Sequence, residues 1–297
     1  MLKIQDLTPI NLEEEKEKFF EDFSYNPQFK YKKNINPQEL VANGLPKPEY
    51  LELAKKILEK ATFEVTEKPV SQQDVTLAIN KFLKNHNLDN HLEIIYSDKF
   101  LSRTSIGNKI KIRLPITYSE EELKGIVNHE LGTHLLRKVN GAKNNIQKSA
   151  DYLKTEEGLA IINTLIAKSD KLASFPALSY LLCYEAQHAS FSQLFKFTSQ
   201  YISDKNQCWN STVKQKRGLL DTSKPGGLTK SLVYLEGFVE VLQHLLTKPK
   251  DINELYAGKI SLTQALDLSI SDNLLPNFIN DNYVEQLKTI AVKNYIQ

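Results

Sequence analysis

The stretch NHELGTHLLR, Asn128 to Arg137, decides how this chain is read. It sets His129, Glu130 and His134 in the spacing H-E-x-x-x-H. That is one residue longer than H-E-x-x-H, in which one helix presents two histidines to a single metal ion. On a regular α-helix, residues four apart are rotated by about 40° and residues five apart by about 140°. A regular helix therefore points His129 and His134 in different directions. A single π-type turn, whose hydrogen bonds run from i to i+5, absorbs one extra residue and restores a shared face. Gly132, between the histidines, has no Cβ to clash in a widened turn and lowers helix preference by about 1 kcal/mol relative to alanine. The expectation is a local bulge within a helix that carries a metal site.

The flanking residues frame that helix. Ser119 and Glu122 fit the S-x-x-E capping box at its start, and Gly141 reads as its terminator. Arg137, one turn past His134, is placed to pair with an acid and brace the helix. A catalytic zinc takes about three protein ligands and keeps one position open. His129 and His134 supply two. Glu130 is too close to His129 to join them easily, and it suits the role of general base toward a water. The third ligand is sought in LKTEEGLAIINTL, Leu153 to Leu165, where Thr155 reads as a helix cap followed by Glu156 and Glu157 in the first turn. These two glutamates differ by about 100° around a helix, so only one faces the metal. The residues alone leave open which. A first-turn acid is also what the helix dipole favours at a solvated position.

Further out, 297 residues are enough for one large domain or two small ones. Lysine plus arginine (38) nearly balances aspartate plus glutamate (36), which argues against bulk nucleic-acid or membrane binding. Cys183 and Cys208 form no disulfide framework. No apolar run is long enough to span a bilayer, and the N-terminus lacks the apolar core of a signal peptide, so a cytoplasmic protein is expected. Helical spacing runs over about 48–60, 71–86 with Ser71 as N-cap, 155–169, 175–203, 229–247 and 280–295. LEIIYS and NKIKIRLPI alternate as strands, with Lys109, Lys111 and Arg113 on one face of the second. RGLLDTSKPGGLTK is a turn-rich loop. The fold class is mainly α with a small mixed or antiparallel β-sheet (α+β). Residues 1–45 read as an N-terminal arm and residues 46–297 as a single catalytic domain. His86, His91, His188 and His244 lie outside any ligand spacing, and Trp209 reads as a packing anchor.

Several spaced motifs give the chain a family likeness. HELGTHLLR, TEEGLA, SFSQLF (Ser190 to Phe195), KRG (Lys216 to Gly218), DTSKPGG (Asp221 to Gly227) and TKSLVYLEG (Thr229 to Gly237) occur in the order of the microtubule-associated tyrosine carboxypeptidase family, whose bacterial relatives carry a Q-E-G-L-A motif. The resemblance runs from about Asn26 to the end. It implies a gluzincin-like metallopeptidase with an HExxxH helix and one zinc ion, removing a C-terminal tyrosine or phenylalanine. In characterised animal members the tyrosine comes from α-tubulin. It implies His129, His134 and Glu157 as metal ligands and Glu130 as catalytic base, and so chooses Glu157 over Glu156 by analogy. That chemistry needs an oxyanion donor, for which Tyr234 is a candidate. It also needs a cation for the terminal carboxylate. The candidates are Arg217 and Lys230, flanking the turn-rich loop, then Lys111 and Arg113 on the strand.

Two departures from the family pattern are visible, Leu131 for the commoner isoleucine and Ser231 where aspartate is usual. The partner implied is a peptide or protein C-terminal tail, tubulin or a tubulin-like tail among them. Two alternatives compete: a zinc amino- or dipeptidyl-peptidase, and a catalytically silent, metal-stabilised binding protein. The basic strand and loop argue against the first, which must hold a substrate ammonium. Glu130 argues against the second, which has no use for a base.

Overall fold

Ser119 starts the helix that matters most, and it does so through a capping box. Its Oγ accepts from the Glu122 N–H at 3.2 Å, and the Glu122 carboxylate accepts from the Ser119 N–H at 2.9 Å. The computed structural model describes residues 4–63, 68–89, 92–100, 102–268, 270 and 272–297; His91 lies outside them. In chain order these residues form helices α1 (Leu12–Glu21), α2 (Pro37–Leu40), α3 (Pro48–Leu58) and α4 (Gln72–Asn85). Strands β1 (Glu93–Ser97), β2 (Thr104–Ile106) and β3 (Lys109–Arg113) follow. After them come α5 (Glu120–His129), a π-turn over Glu130–Leu135, and α6 (Leu136–Lys143). The remainder is helical: α7 (Tyr152–Ala167), α8 (Ser174–Ala186), α9 (Phe191–Thr198), α10 (Lys205–Lys216), α11 (Leu232–Thr247), α12 (Ile252–Leu255), α13 (Leu262–Leu266) and α14 (Tyr283–Lys293). The protein is mainly α with a small mixed sheet, an α+β fold.

The chain divides into two compact units, one of residues 1–65 and 174–235, the other of residues 66–173 and 236–297. In the second unit, β3 is the central strand, parallel to β1 and antiparallel to β2. Ile110 and Ile112 are buried, while Lys109 and Lys111 on the opposite face are exposed. The buried face looks onto Val75 and Ile79 of α4 and Leu123, Ile126 and Val127 of α5. Burying side chains of this size contributes about 1.5–3 kcal/mol each, which is how the short central strand anchors the sheet. No helix among the described residues is long and apolar enough to cross a membrane.

Helices α7 and α11 meet at backbone contact. A Cβ placed on Gly158 would lie 2.2 Å from the carbonyl carbon of Gly237, and one on Gly237 would lie 2.0 Å from the Lys154 oxygen. Only two glycines permit that approach. The crossing holds Glu157, the residue before Gly158, in a fixed place. Gly158→Ala is expected to cost stability at the upper end of the ~1–3 kcal/mol typical of overpacking, because the obstacle is backbone and cannot rotate away. Denaturant unfolding of the purified variant checks this, and an unchanged midpoint would refute it.

The first unit is built differently. Helix α3 packs on α8, and the Tyr180 hydroxyl accepts from the Lys47 N–H at 2.7 Å. Residues 4–45, expected as an arm, contribute α1 and α2 to this unit. Phe19 of α1 inserts into an aromatic cluster with Phe191, Phe195 and Trp209, at centroid distances of 5.0, 4.8 and 5.4 Å. Trp209 is fully buried there, as its reading as a packing anchor requires. Cys183 and Cys208 are buried and unpaired with each other.

Several boundaries depart from the sequence expectation. The helix expected over 175–203 is two helices, because Ser190 forms its own capping box with Gln193 and starts α9 afresh. Helix α10 was not foreseen. Its sequence, KNQCWNSTVKQK, carries too few apolar residues to show a stripe, and Asp204 starts it by accepting from the Gln207 N–H at 2.7 Å. Gly141 does not end its helix. It lies inside α6, which stops at Asn144, and Asn145 takes the left-handed conformation at φ 55°. Thr155 does not cap α7, which begins at Tyr152 and leaves Thr155 and both glutamates buried past its first turn.

Candidate metal centre

The helix from Ser119 carries the two histidines through the π-turn. Glu130 to Leu135 form that turn, and the Leu136 N–H reaches back five residues to the Leu131 carbonyl. The extra residue is absorbed there. The His129 and His134 rings stand edge to face, with centroids 4.9 Å apart. Helix α7 brings Glu157 against them. One Glu157 carboxylate oxygen is 3.7 Å from each imidazole Nε2. The three ligand atoms all lie within 4.8 Å of one another.

The outer nitrogens of both rings are fixed. The Thr164 hydroxyl gives its hydrogen to the Ala160 carbonyl at 2.8 Å, so at 3.1 Å it can only accept from His129 Nδ1. His134 Nδ1 donates to Glu156 at 2.7 Å. Each ring thus turns Nε2, the atom that would offer a lone pair to a metal ion, toward Glu157. Two imidazole nitrogens and a carboxylate oxygen, each ring held by a hydrogen bond on its far side, fit a zinc ion in donor type and number. Tetrahedral ligands at 2.0–2.2 Å from such an ion lie roughly 3.3–3.6 Å apart, and the two separations from Glu157, 3.7 Å, are close to that.

Glu156 is therefore not the inward-facing acid. It is buried among cations, taking bonds from His134, Lys259 and Arg137, the last at 3.4 Å. Burial pushes its pKa up, but the His134 bond and the charges of His134, Arg137 and Lys259 outweigh that and hold it at about 2. For His134 burial works against the charged ring, and the Glu156 bond with the charges of Glu157, Glu156 and Glu130 leaves the pKa raised. Arg137 does brace the helix. It is fully buried and also donates to the carbonyls of Leu255 and Ile260, at 2.8 Å each. Glu156→Ala would strand Arg137 in the interior, and removing one partner of a buried pair costs about 3–5 kcal/mol. The same change frees His134 to rotate, which is expected to weaken metal binding by about 10–100-fold. Urea unfolding of the metal-free variant and zinc competition titration read the two effects separately.

Glu130 is half-buried on the same turn, its charge felt at His134. It borders an apolar recess lined by Val75, Ile79, Ile112, Ile126 and Leu131. The recess is far too small for an aromatic ring. Of the strand cations, Lys111 is exposed with its ammonium 5.6 Å from the Phe100 ring centre, and Arg113 is half-buried near Arg103.

The remaining candidates belong to the first unit. Lys230 has its ammonium 6.0 Å from the Tyr234 ring centre. Arg217 ends α10 and is buried, and its Nε has no hydrogen-bond partner among the described residues. Burial lowers its pKa, with only the phenols of Tyr234 and Tyr31 acting the other way. Among the described residues no carboxylate offsets its charge. The preceding Lys216 is the opposite case. Its ammonium is buried among the carbonyls of Ala186, Ala189, Lys224 and Gly226. These bonds stitch the DTSKPGG loop to the end of α8, while burial pulls the lysine pKa down to about 8.

Sequence reasoning passed over Thr164, Asn163, Tyr256 and Lys216. Asn163 and Thr164 did leave a signal, as the two polar residues inside the apolar run LAIINTLIA. Thr164 is seven residues past Glu157, which places both on one stripe of α7. Tyr256 left none. Of the histidines outside the motif, His86 bonds the Phe82 carbonyl, His188 packs on Tyr184 and His244 pairs with Asp251.

A helical protein with a small mixed sheet and a His-His-Glu cluster on a π-turn is a narrow class, and relatives of this chain make it narrower. A sequence model described as microtubule-associated tyrosine carboxypeptidase matches residues 44–277. The chain belongs to that family. Mouse microtubule-associated tyrosine carboxypeptidase 1 is 29% identical over 97% of this chain and 68% of its own length. The human protein of that name is 30% identical over 97% of this chain and 67% of its own. A second mouse relative, MATCAP2, is 30% identical over 97% of this chain. The chain spans 61% of the length of that relative.

Proposed function

We propose that this chain is a zinc-dependent metallocarboxypeptidase that removes a C-terminal tyrosine or phenylalanine from a peptide or protein tail, with residues 46–297 acting as one catalytic domain. The family it belongs to and the names of its relatives make a tail such as that of tubulin the substrate to test. The observation that carries the reading is the convergence of His129, His134 and Glu157, with the far nitrogen of each histidine already held. An HExxxH helix of gluzincin type is the corresponding class.

A bound zinc ion would contribute Lewis acidity at the scissile carbonyl and a lowered pKa for the attacking water. Glu130 takes the proton from that water and delivers it to the leaving amine. Tyr234 donates to the developing oxyanion. Arg217 receives the terminal carboxylate through its bidentate fork, with Lys230 beside it, and Lys111 and Arg113 attract the rest of an acidic tail. A buried guanidinium with no acid beside it among the described residues is an expensive arrangement unless an anion arrives, and that supports Arg217 over half-buried Lys230 and exposed Lys111.

The test uses peptides ending in Tyr, Phe or Glu, with free or amidated C-termini, and product masses. Loss of one C-terminal Tyr or Phe, abolished by amidation and by a chelator, is the expected result. Removal of N-terminal residues, or zinc binding with no cleavage, overturns the proposal.

A further inference from the structure

A helix that switches from i→i+5 bonding back to i→i+4 leaves one carbonyl without a backbone donor. Here the Leu136 N–H goes to the carbonyls of Leu131 and Thr133, which flank Gly132. Gly132 lies between and is passed over. Its carbonyl accepts instead from the Tyr256 hydroxyl at 2.7 Å, and Tyr256 is fully buried. The Thr133 hydroxyl donates to the Asn128 carbonyl, five residues back, at 3.1 Å. Both hydroxyl hydrogens are thereby committed. Asn163 of α7 supplies the donors that the two hydroxyl oxygens then lack, with its Nδ2 2.7 Å from Thr133 and 2.8 Å from Tyr256. Its own Oδ1 is buried with no partner among the described residues.

We infer that Tyr256, with Asn163 and Thr133, is a positioning device that holds the π-turn open and so keeps His129 and His134 on a common face. It rests on the metal-site reading above. Without these bonds the turn tends to relax toward regular helical hydrogen bonding, which swings His134 away from His129 and leaves Glu157 with one imidazole. Asn163 leaves its own acceptor unmet to do this. That is a cost a merely structural amide would avoid, and it lies on the helix that also carries Glu157. Tyr256 touches no ligand atom and acts only through the backbone of Gly132.

The test compares Tyr256→Phe, Thr133→Val and Thr133→Ser with the wild type and with Ile290→Val, a core change away from the network. Zinc affinity is measured by chelator competition, coordination by the visible spectrum of the cobalt form, and folding by thermal melting of the metal-free protein. Tyr256→Phe and Thr133→Val are expected to bind zinc about 10–100-fold more weakly with an altered cobalt spectrum. Thr133→Ser, which keeps the hydroxyl, and Ile290→Val are expected to match the wild type. Folded Tyr256→Phe and Thr133→Val proteins with wild-type affinity and spectrum overturn the inference alone. A wild-type chain that binds no metal overturns the metal reading and the inference with it. Should Tyr256→Phe not fold, Thr133→Val against Thr133→Ser carries the same decision.

Discussion

Glu130→Gln is expected to lower kcat by about 10²–10⁴-fold while leaving zinc content and melting temperature close to wild type. The substitution keeps the shape and removes only the ability to accept a proton. Glu130 is half-buried, so no deep ionic network collapses with it, in contrast to Glu156. It also lies outside the set of atoms that could grip an ion together, which is His129, His134 and Glu157. A general base sits in the transition state and not in the ground-state complex, so the loss should fall on kcat with KM little changed. Steady-state kinetics on a peptide ending in tyrosine, with metal analysis of the same preparation, checks this. Activity within tenfold of wild type would remove Glu130 from the mechanism.

Arg217→Met is expected to move activity and stability in opposite directions. In the free protein the guanidinium is buried, and among the described residues its Nε lacks a partner and no carboxylate acts on it. Methionine is flexible and of comparable reach, so exchange should raise unfolding stability, by up to the ~1–4 kcal/mol seen when buried ion pairs are replaced by apolar groups. If Arg217 has the role proposed above, the same exchange deprives a terminal carboxylate of its partner. Losing a buried, hydrogen-bonded charge pair costs about 2–5 kcal/mol, which corresponds to a fall in kcat/KM of roughly 30- to 5,000-fold. Most of that loss should appear in KM, and peptides with amidated ends should be insensitive to the change. A variant that is both less stable and unaffected in KM would assign Arg217 to packing.

The shared face of His129 and His134 and the turn between them were legible because both follow from spacing. An extra residue between His129 and His134 has one inexpensive solution on a helix, and Gly132 marks where it goes. Ser71 and Ser119 announced their helices through side-chain chemistry that works locally. What stayed hidden depends on neighbours distant in sequence. Nothing local distinguishes Glu156 from Glu157; the difference comes from Arg137 and Lys259, which surround one of them and not the other. Gly141 looked like a terminator, yet it lies where α6 passes close to Gly258 and a side chain would crowd that backbone. Helix α10 lacks a readable stripe because its buried face mixes the apolar Cys208, Trp209 and Val213 with the polar Thr212, Gln215 and Lys216.

Excising Gly132 would leave H-E-L-T-H, the shorter and more familiar spacing, and on paper a sound site. Because the π-turn takes up the extra residue within Glu130–Leu135, its removal lets the backbone close to i→i+4 bonding without rotating the helix beyond it. Asn140 and Asn144 then keep the carbonyls of Tyr256, Leu274 and Ala257, and Arg137 those of Leu255 and Ile260. What disappears is the acceptor of the Tyr256 hydroxyl, the Gly132 carbonyl. A shortened chain is therefore expected to keep this C-terminal packing while losing any need for a hydroxyl at position 256.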